Sequence, residues 1–387
     1  MTHQRKLRLG MIGGGEGAYI GSTHRLAARL DGHWDLVAGA FDVDPEKGRA
    51  FALSQGIQAE RAYGSYQDLI AGEQNRDDKV DAVAICTPNF THYPIAKALV
   101  EAGIDVICEK PLTATLDDAI ALEKLARETG RFVGVTYTYS GYPMVHEARV
   151  RVARGDIGKV RSVQVEYSIE WMATNIEHHG NAQAAWRTDP TKNGRGGSMG
   201  DIGTHAYHLA GFVTGLKLET VMADLATFVE GRVLDDNAHV MMRYEGGARG
   251  LLWSSQVALG NSNGVRLRVF GETGSFQWHQ EHPNELIYGQ LNGPVQVLKR
   301  GSEGLSEDAM ARDRTPPGHP EGYLEAFANL YVGYAEALRA KREGREPGIV
   351  GQNLPMVYDG LKGVAFVDAV VDSSANETPV WLKPVAV

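Results

Sequence analysis

Cysteine is scarce: Cys86 and Cys108 are the only two in 387 residues, each inside an apolar run. That excludes a disulfide framework and reads as two core thiols in a reducing cytoplasm. Long hydrophobic runs are missing as well, and no segment reaches the length of a membrane span. The basic opening, Met1-Thr2-His3-Gln4-Arg5-Lys6-Leu7-Arg8-Leu9, leads straight into an apolar strand and then glycines. It has neither a signal-peptide core nor a twin-arginine pair. Positive charge is also in short supply: 39 Lys and Arg against 48 Asp and Glu give a net charge of −9. Nucleic acid and anionic membranes are therefore poor candidates for the main partner. With no internal repeat or low-complexity tract, what remains is an ordinary globular balance, 43% hydrophobic and 22% charged. The chain is too long for one ordinary core, so two domains are expected.

Up to residue 137, short apolar runs alternate with helical stretches. Strands are expected at Leu7–Ile12, Leu36–Phe41, Val80–Ile85, Asp105–Cys108 and Phe132–Val135, with helices at Pro94–Ala102 and Leu116–Thr129 between them. Continuous rather than alternating strands, separated by helices, predict a doubly wound parallel sheet covered on both faces. From about residue 157 the texture changes. Val160–Ile169, Val221–Val229, Ala238–Tyr244, Ala248–Gln256 and Val265–Phe270 are longer and partly alternating, and Gly246-Gly247 sits between two of them as a hairpin turn. A largely antiparallel sheet is expected there, followed by a surface excursion over Gly301–Gly322 and helices over Tyr323–Lys341 and Asn353–Ser373.

The first strand ends in Gly13-Gly14-Gly15-Glu16-Gly17-Ala18, which fits G-x-G-x-x-G/A at Gly13, Gly15 and Ala18. Small residues are needed where a chain turns sharply and brings its amides to a pyrophosphate at a helix N-terminus. A glycine cluster alone is weak support for this. The second strand, however, ends at Asp42, where an acid would meet the adenosine ribose, although Asp44-Pro45 nearby also allows a plain turn or helix cap. Tyr19-Ile20-Gly21 lengthens the turn before the helix that carries His24.

Two further segments end strands at the carboxyl edge of the expected parallel sheet. These are Cys86-Thr87-Pro88-Asn89-Phe90-Thr91-His92 and Glu109-Lys110-Pro111, in which the proline holds Lys110 extended. Downstream comes Gly196-Gly197-Ser198-Met199-Gly200-Asp201-Ile202-Gly203-Thr204-His205. These segments, in this order, resemble the Gfo/Idh/MocA family of oxidoreductases, and the likeness covers nearly the whole chain. The resemblance implies an α/β protein: a Rossmann domain over residues 1–137, then a substrate-binding and oligomerisation domain over 138–387 with a large, mostly antiparallel open sheet. It implies NAD as cofactor, held by Gly13, Gly15, Glu16, Ala18, Asp42, Thr87, Pro88, Asn89, His92, Glu109, Lys110, Trp186 and Arg187. A substrate pocket between the domains at the nicotinamide, a homo-oligomer and a cyclic polyol or sugar as substrate are further implications, with scyllo-inositol or L-glucose as examples. This chain departs from the pattern at His208, where many members carry an acid, and at Ile202, where inositol dehydrogenases carry a hydroxyl residue.

Asp201 and His205 are four apart, so on a helix they share one face. Oxidising a secondary alcohol requires loss of the hydroxyl proton as hydride leaves. A histidine suits that task, and a carboxylate can orient it. Lys110 would stabilise charge developing on the reacting oxygen, or would itself be the base. Asp201, His205 and His208, with His178-His179, also form a conceivable metal set, but the absence of Cys ligands and the presence of Lys110 argue for metal-free chemistry. Around these, Tyr137, Tyr139, Trp171 and Arg187 are expected to line the substrate site, because aromatic faces stack on the CH faces of a polyol. Two rivals remain: a glycosidase using NAD transiently on the same fold, and a non-catalytic dinucleotide-binding regulator.

Overall fold

A computed structural model gives the fold and describes residues 5–376 and 380–385. The first four residues of the basic opening, together with 377–379 and 386–387, lie outside the described residues. The chain forms two compact units. The first takes in the chain to Thr113, Asp117–Thr138 and Tyr323–Gly360; the second comprises Ala114–Leu116, Tyr139–Gly322 and the chain from Leu361. Among the described residues no helix is long and apolar enough to cross a membrane.

The first unit is built on five parallel strands, β1 (Leu7–Gly13), β2 (Trp34–Ala40), β3 (Ala82–Cys86), β4 (Asp105–Cys108) and β5 (Val133–Val135). Their order is β2-β1-β3-β4-β5. Every residue of β3, β4 and β5 is buried, as strands covered on both faces require. The winding reverses at β1, and ligands of such sheets bind beyond the carboxyl ends at that point. One covering helix comes from far along the chain. Tyr323–Glu343 lays Phe327, Tyr331, Tyr334 and Leu338 into the same core as Leu7, Leu9, Met11 and Trp34. The Trp34 indole donates to the Tyr331 carbonyl at 2.9 Å, and the Tyr334 hydroxyl donates to the Val135 carbonyl at 2.8 Å. The boundary expected at residue 137 would have assigned this helix to the other domain. An amphipathic helix carries no address, and the sheet face it covers is what places it.

The second unit holds an eight-stranded sheet of β6 (Val160–Ser168), β7 (Leu218–Ala226), β8 (Asn237–Tyr244), β9 (Arg249–Ser255), β10 (Gly264–Gly271), β11 (Gly274–His279), β12 (Glu285–Gln290) and β13 (Gln296–Lys299). The order is β13-β12-β11-β10-β6-β9-β8-β7, antiparallel except where β6 pairs with β9. β8 shows the expected alternation, with Val240, Met242 and Tyr244 buried and His239, Met241 and Arg243 facing out. The Gly246-Gly247 turn has φ of 79° and 97°, which glycine alone adopts easily. β11 to β13 extend the sheet beyond the strands expected from sequence. The stretch Gly301–Gly322 is less of a loose excursion than expected. It contains the short helix Glu307–Met310, and Asp308 is held by His146 at 2.8 Å and Arg312 at 2.5 Å. Buried Arg300 reaches Glu321 at 3.0 Å.

Candidate active site

In the first unit the glycine turn is wedged between the ends of β2 and β3. A Cβ at Gly13, where φ is +74°, would lie 2.5 Å from the Thr87 side chain; one at Gly15 would lie 2.7 Å from the Phe41 carbonyl. The helix Tyr19–Leu30 then starts with Ala18 as its N-cap, and the close approach of helix to turn falls at Gly21. A Cβ on Gly21 would come within 2.3 Å of the Gly14 backbone. The third small position of the motif is thus Gly21 rather than Ala18, because the turn is longer than the fingerprint allows. Glu16 is exposed at the turn. Asp42 is exposed just beyond β2 and accepts the Asp44 amide at 2.9 Å, while Asp44 itself caps the next helix.

At the ends of β3 and β4, Thr87 and Pro88 are half-buried and Asn89 is buried. His92 is fully buried, with one ring nitrogen 2.9 Å from the Pro111 carbonyl and the other 2.8 Å from the Thr87 carbonyl. Burial lowers its pKa against the pull of those carbonyls. Both ring nitrogens of His92, expected at the nucleotide, face backbone carbonyls of the two strand-end turns, and the single N–H of the neutral ring can donate to one of them. Glu109 is buried and receives three donors: His24 Nε2 at 2.9 Å and the Thr136 hydroxyl on one oxygen, and the Lys110 amide at 3.1 Å on the other. Burial raises the pKa of the Glu109 carboxyl, but the His24 and Thr136 hydrogen bonds and the charges of His24 and Lys110 take it below the usual value. The second nitrogen of His24 lies 2.7 Å from the Tyr331 hydroxyl, which burial keeps protonated. Lys110 is half-buried, next to a cis Lys110–Pro111 bond, and Tyr137 is buried.

In the second unit, Asp201 sits on a π-turn, Met199–Gly203, that runs into the helix Thr204–Thr214 carrying His205. Sequence spacing assumed a plain α-helix from Gly200; the wider winding comes first. Asp201 is buried, accepts Gln256 Nε2 at 2.8 Å and stands 3.4 Å from Arg187 Nε. The His205 ring lies edge-on to Tyr139, centroids 5.0 Å apart, and 6.1 Å from Tyr167; the two tyrosine hydroxyls are 2.7 Å apart. Burial raises the Tyr139 pKa, so its phenol stays neutral. Arg187 lies over Trp186 at 4.2 Å and over Trp171 at 5.7 Å, which brings three of the expected residues together. His178 and His179 are exposed on the segment after Trp171, and His208 is buried against Phe212. Among the described residues no group of three His, Cys, Asp or Glu is placed to hold a metal ion.

Residues 7–137 match the family model described as "Oxidoreductase family, NAD-binding Rossmann fold", and residues 145–277 match "GFO/IDH/MocA C-terminal domain". An uncharacterized oxidoreductase of Bacillus subtilis, YfiI, is 38% identical over 382 residues, covering 98% of this chain and 97% of its own. The chain belongs to the Gfo/Idh/MocA oxidoreductase family. Two crystal structures of an inositol dehydrogenase homologue from Azotobacter vinelandii are 39% identical to this Gfo/Idh/MocA protein. The one with NAD+ has a TM-score of 0.94 and covers 98% of this chain and 97% of its own; the one with NADH and myo-inositol has 0.91 and covers 98% of each. Levoglucosan dehydrogenase of Pseudarthrobacter phenanthrenivorans is 27% identical, covering 97% of both chains. This Gfo/Idh/MocA chain is an NAD-dependent dehydrogenase acting on CH–OH groups.

The first unit of this oxidoreductase fits a dinucleotide. Left-handed backbone at Gly13, Gly14 and Gly17 brings the turn to the switch point of the sheet. Large apolar side chains stand exposed beyond three adjacent strands: Tyr19 at 71%, Val43 at 100% and Phe90 at 45%. Sequence reasoning missed Thr136, which with His24 holds Glu109, Tyr331, which meets the other nitrogen of His24, and Gln256 and Asp235, which hold the π-turn. Gly21-x-x-His24 was visible in the sequence, but its partners were not.

Proposed function

We propose that this protein oxidises a secondary hydroxyl of a cyclic polyol or sugar to the ketone, with an inositol such as scyllo- or myo-inositol, or a pyranose such as L-glucose, as substrate. The observation that carries this reading is the likeness, over 98% of both chains, to the Azotobacter homologue whose crystal structure holds myo-inositol with NADH. When bound, NAD supplies the acceptor for the hydride. The turn amides from Gly13 to Gly17 hold its pyrophosphate, and Asp42 accepts from the adenosine ribose hydroxyls. Thr87, Pro88 and Asn89, with Trp186 and Arg187, complete its surroundings. His205 takes the proton from the substrate hydroxyl, Asp201 steadies the cationic imidazole, and the Lys110 ammonium stabilises charge developing on the same oxygen. Tyr137, Tyr139 and Trp171 offer hydroxyls and ring faces to the rest of the polyol.

We also infer a cytoplasmic homo-oligomer. Both cysteines are free and buried, as suits a reducing compartment. The outward face of the second unit's sheet carries Met241, Leu251 and Trp253 around a shallow hollow of about 470 Å³. The test is a panel of inositols, pyranoses and sugar acids with NAD, read at the absorbance of NADH, in wild type and Lys110→Ala. At least one polyol should be turned over. The variant should melt like wild type while kcat at saturating NAD falls about a hundredfold or more. A panel without NADH formation, or sugar release without net NADH, would sink the reading. Wild-type turnover in the variant would remove Lys110 from the chemistry.

A further inference from the structure

The π-turn that carries Asp201 begins with amides that no residue of its own segment caps. Ser198, at the cap position, makes no side-chain capping bond; its hydroxyl is 2.6 Å from that of Ser254. The donors are met from elsewhere. Asp235, buried between β7 and β8, accepts the Gly197 amide on one carboxylate oxygen at 2.6 Å and the Met199 amide on the other at 2.8 Å. Its own carbonyl accepts the Ser198 amide at 2.7 Å. Three successive amides are therefore held by one residue 38 positions away at its first contact. The fit is close enough to dictate a neighbour: a Cβ on Gly197 would lie 2.1 Å from the Asp235 carbonyl oxygen.

We propose that Asp235 is the positioning residue of the catalytic turn, an N-terminal cap supplied from the β7–β8 connection that fixes where Asp201 and His205 stand. The proposal rests on the assignment of those two residues to catalysis. An anion at the start of a helix also meets its partial positive charge, so the clamp is electrostatic as well as geometric. Neighbouring Asp236 adds a like charge but is itself engaged by Arg232 at 3.1 Å and by the amides of Phe228 and Val229. An amide at position 235 would match one donor and oppose the other, releasing part of the turn. Displacing a catalytic group by about an ångström can cost about a hundredfold in rate.

The test compares wild type, Asp235→Asn and Gly197→Ala, the last opening the same clamp from the other side. NAD affinity, thermal midpoint, kcat per NAD-binding site with myo-inositol, and amide exchange over residues 197–205 are measured for each. The expected result is NAD affinity within about twofold of wild type, kcat per site lowered about a hundredfold, and exchange of those amides at least about tenfold faster. A residue serving only the fold would lower the fraction of folded protein and leave kcat per site unchanged. Exchange needs no substrate and reads the clamp directly, so unchanged protection in both variants overturns the proposal. Wild-type kcat in a parallel His205→Asn overturns the catalytic assignment instead, and leaves the exchange result to judge Asp235.

Discussion

Asp42 illustrates how much a single side chain can decide. It stands exposed two residues beyond β2, with one oxygen accepting the Asp44 amide and the side chain open to solvent. A ribose with two hydroxyls can donate to it, whereas a phosphorylated ribose would be repelled by about 1–2 kcal/mol at a solvent-facing site. Wild type should therefore prefer NAD over NADP in kcat/KM, and Asp42→Ser should narrow that ratio about tenfold or more. Equal use of the two cofactors by the intact protein would remove Asp42 from the ribose. Sequence could nominate this residue because the nomination depends only on its place after a glycine turn and a strand. Lys110, Asp201 and His205 were nominated in the same way, each from a short segment whose proposed chemistry is local. Asp235, Gln256 and Tyr331 were not, because their partners Gly197, Asp201 and His24 lie 38, 55 and 307 residues away. No periodicity links such positions, and only folding brings them together.

At the scale of elements, continuous apolar runs located all five strands of the first sheet, Asp105–Cys108 to the residue. β11 to β13 stayed hidden because polar residues and glycines interrupt their apolar runs, and β12 and β13 leave most residues outside the core. The helix Tyr323–Glu343 was found, but its destination was not, and its attachment can be measured. Asp81, at the start of β3, binds Arg5 at 2.6 Å and Arg342 near the end of that helix at 2.5 Å, and accepts the Arg8 amide at 2.6 Å. Burial opposes its ionisation, but these partners carry its pKa down to about 2. A carboxyl depressed in this way stabilises the fold fully above its unfolded value near 4, and that contribution is lost as pH falls towards 2. Both arginines are partly exposed, so the worth at neutral pH is about 1–2 kcal/mol after screening. Asp81→Asn should lower the unfolding free energy at pH 7, from denaturant titration, by that amount. Its deficit against wild type should shrink by pH 3; a deficit that stays constant across this range would mean that the charge contributes nothing.

For the whole molecule, the outward face of the large sheet is where self-association is expected. Leu251 is 51% exposed and Met241 41%, and Trp253 lies beside them on the neighbouring strands. Replacing Leu251 by Glu puts a charge in the middle of that face, so sedimentation should shift towards smaller species with the thermal midpoint of the monomer barely changed. An unaltered sedimentation profile would move the interface elsewhere.

The long return of the chain into its first unit also shapes how the protein can be made. A nascent chain that has reached residue 137 has laid down all five strands of the nucleotide-binding sheet. It still lacks Phe327, Leu330, Tyr331, Tyr334 and Leu338, which complete their core. At ribosomal speeds of about 5–20 residues per second, the missing helix follows only after about ten to forty seconds. During that interval Trp34 and the apolar face of β1 have only the part of their cover that Ala27, Ala28 and their neighbours supply. The first half of this enzyme therefore waits for the second, and a messenger truncated between the two would yield a sticky fragment rather than a nucleotide-binding domain.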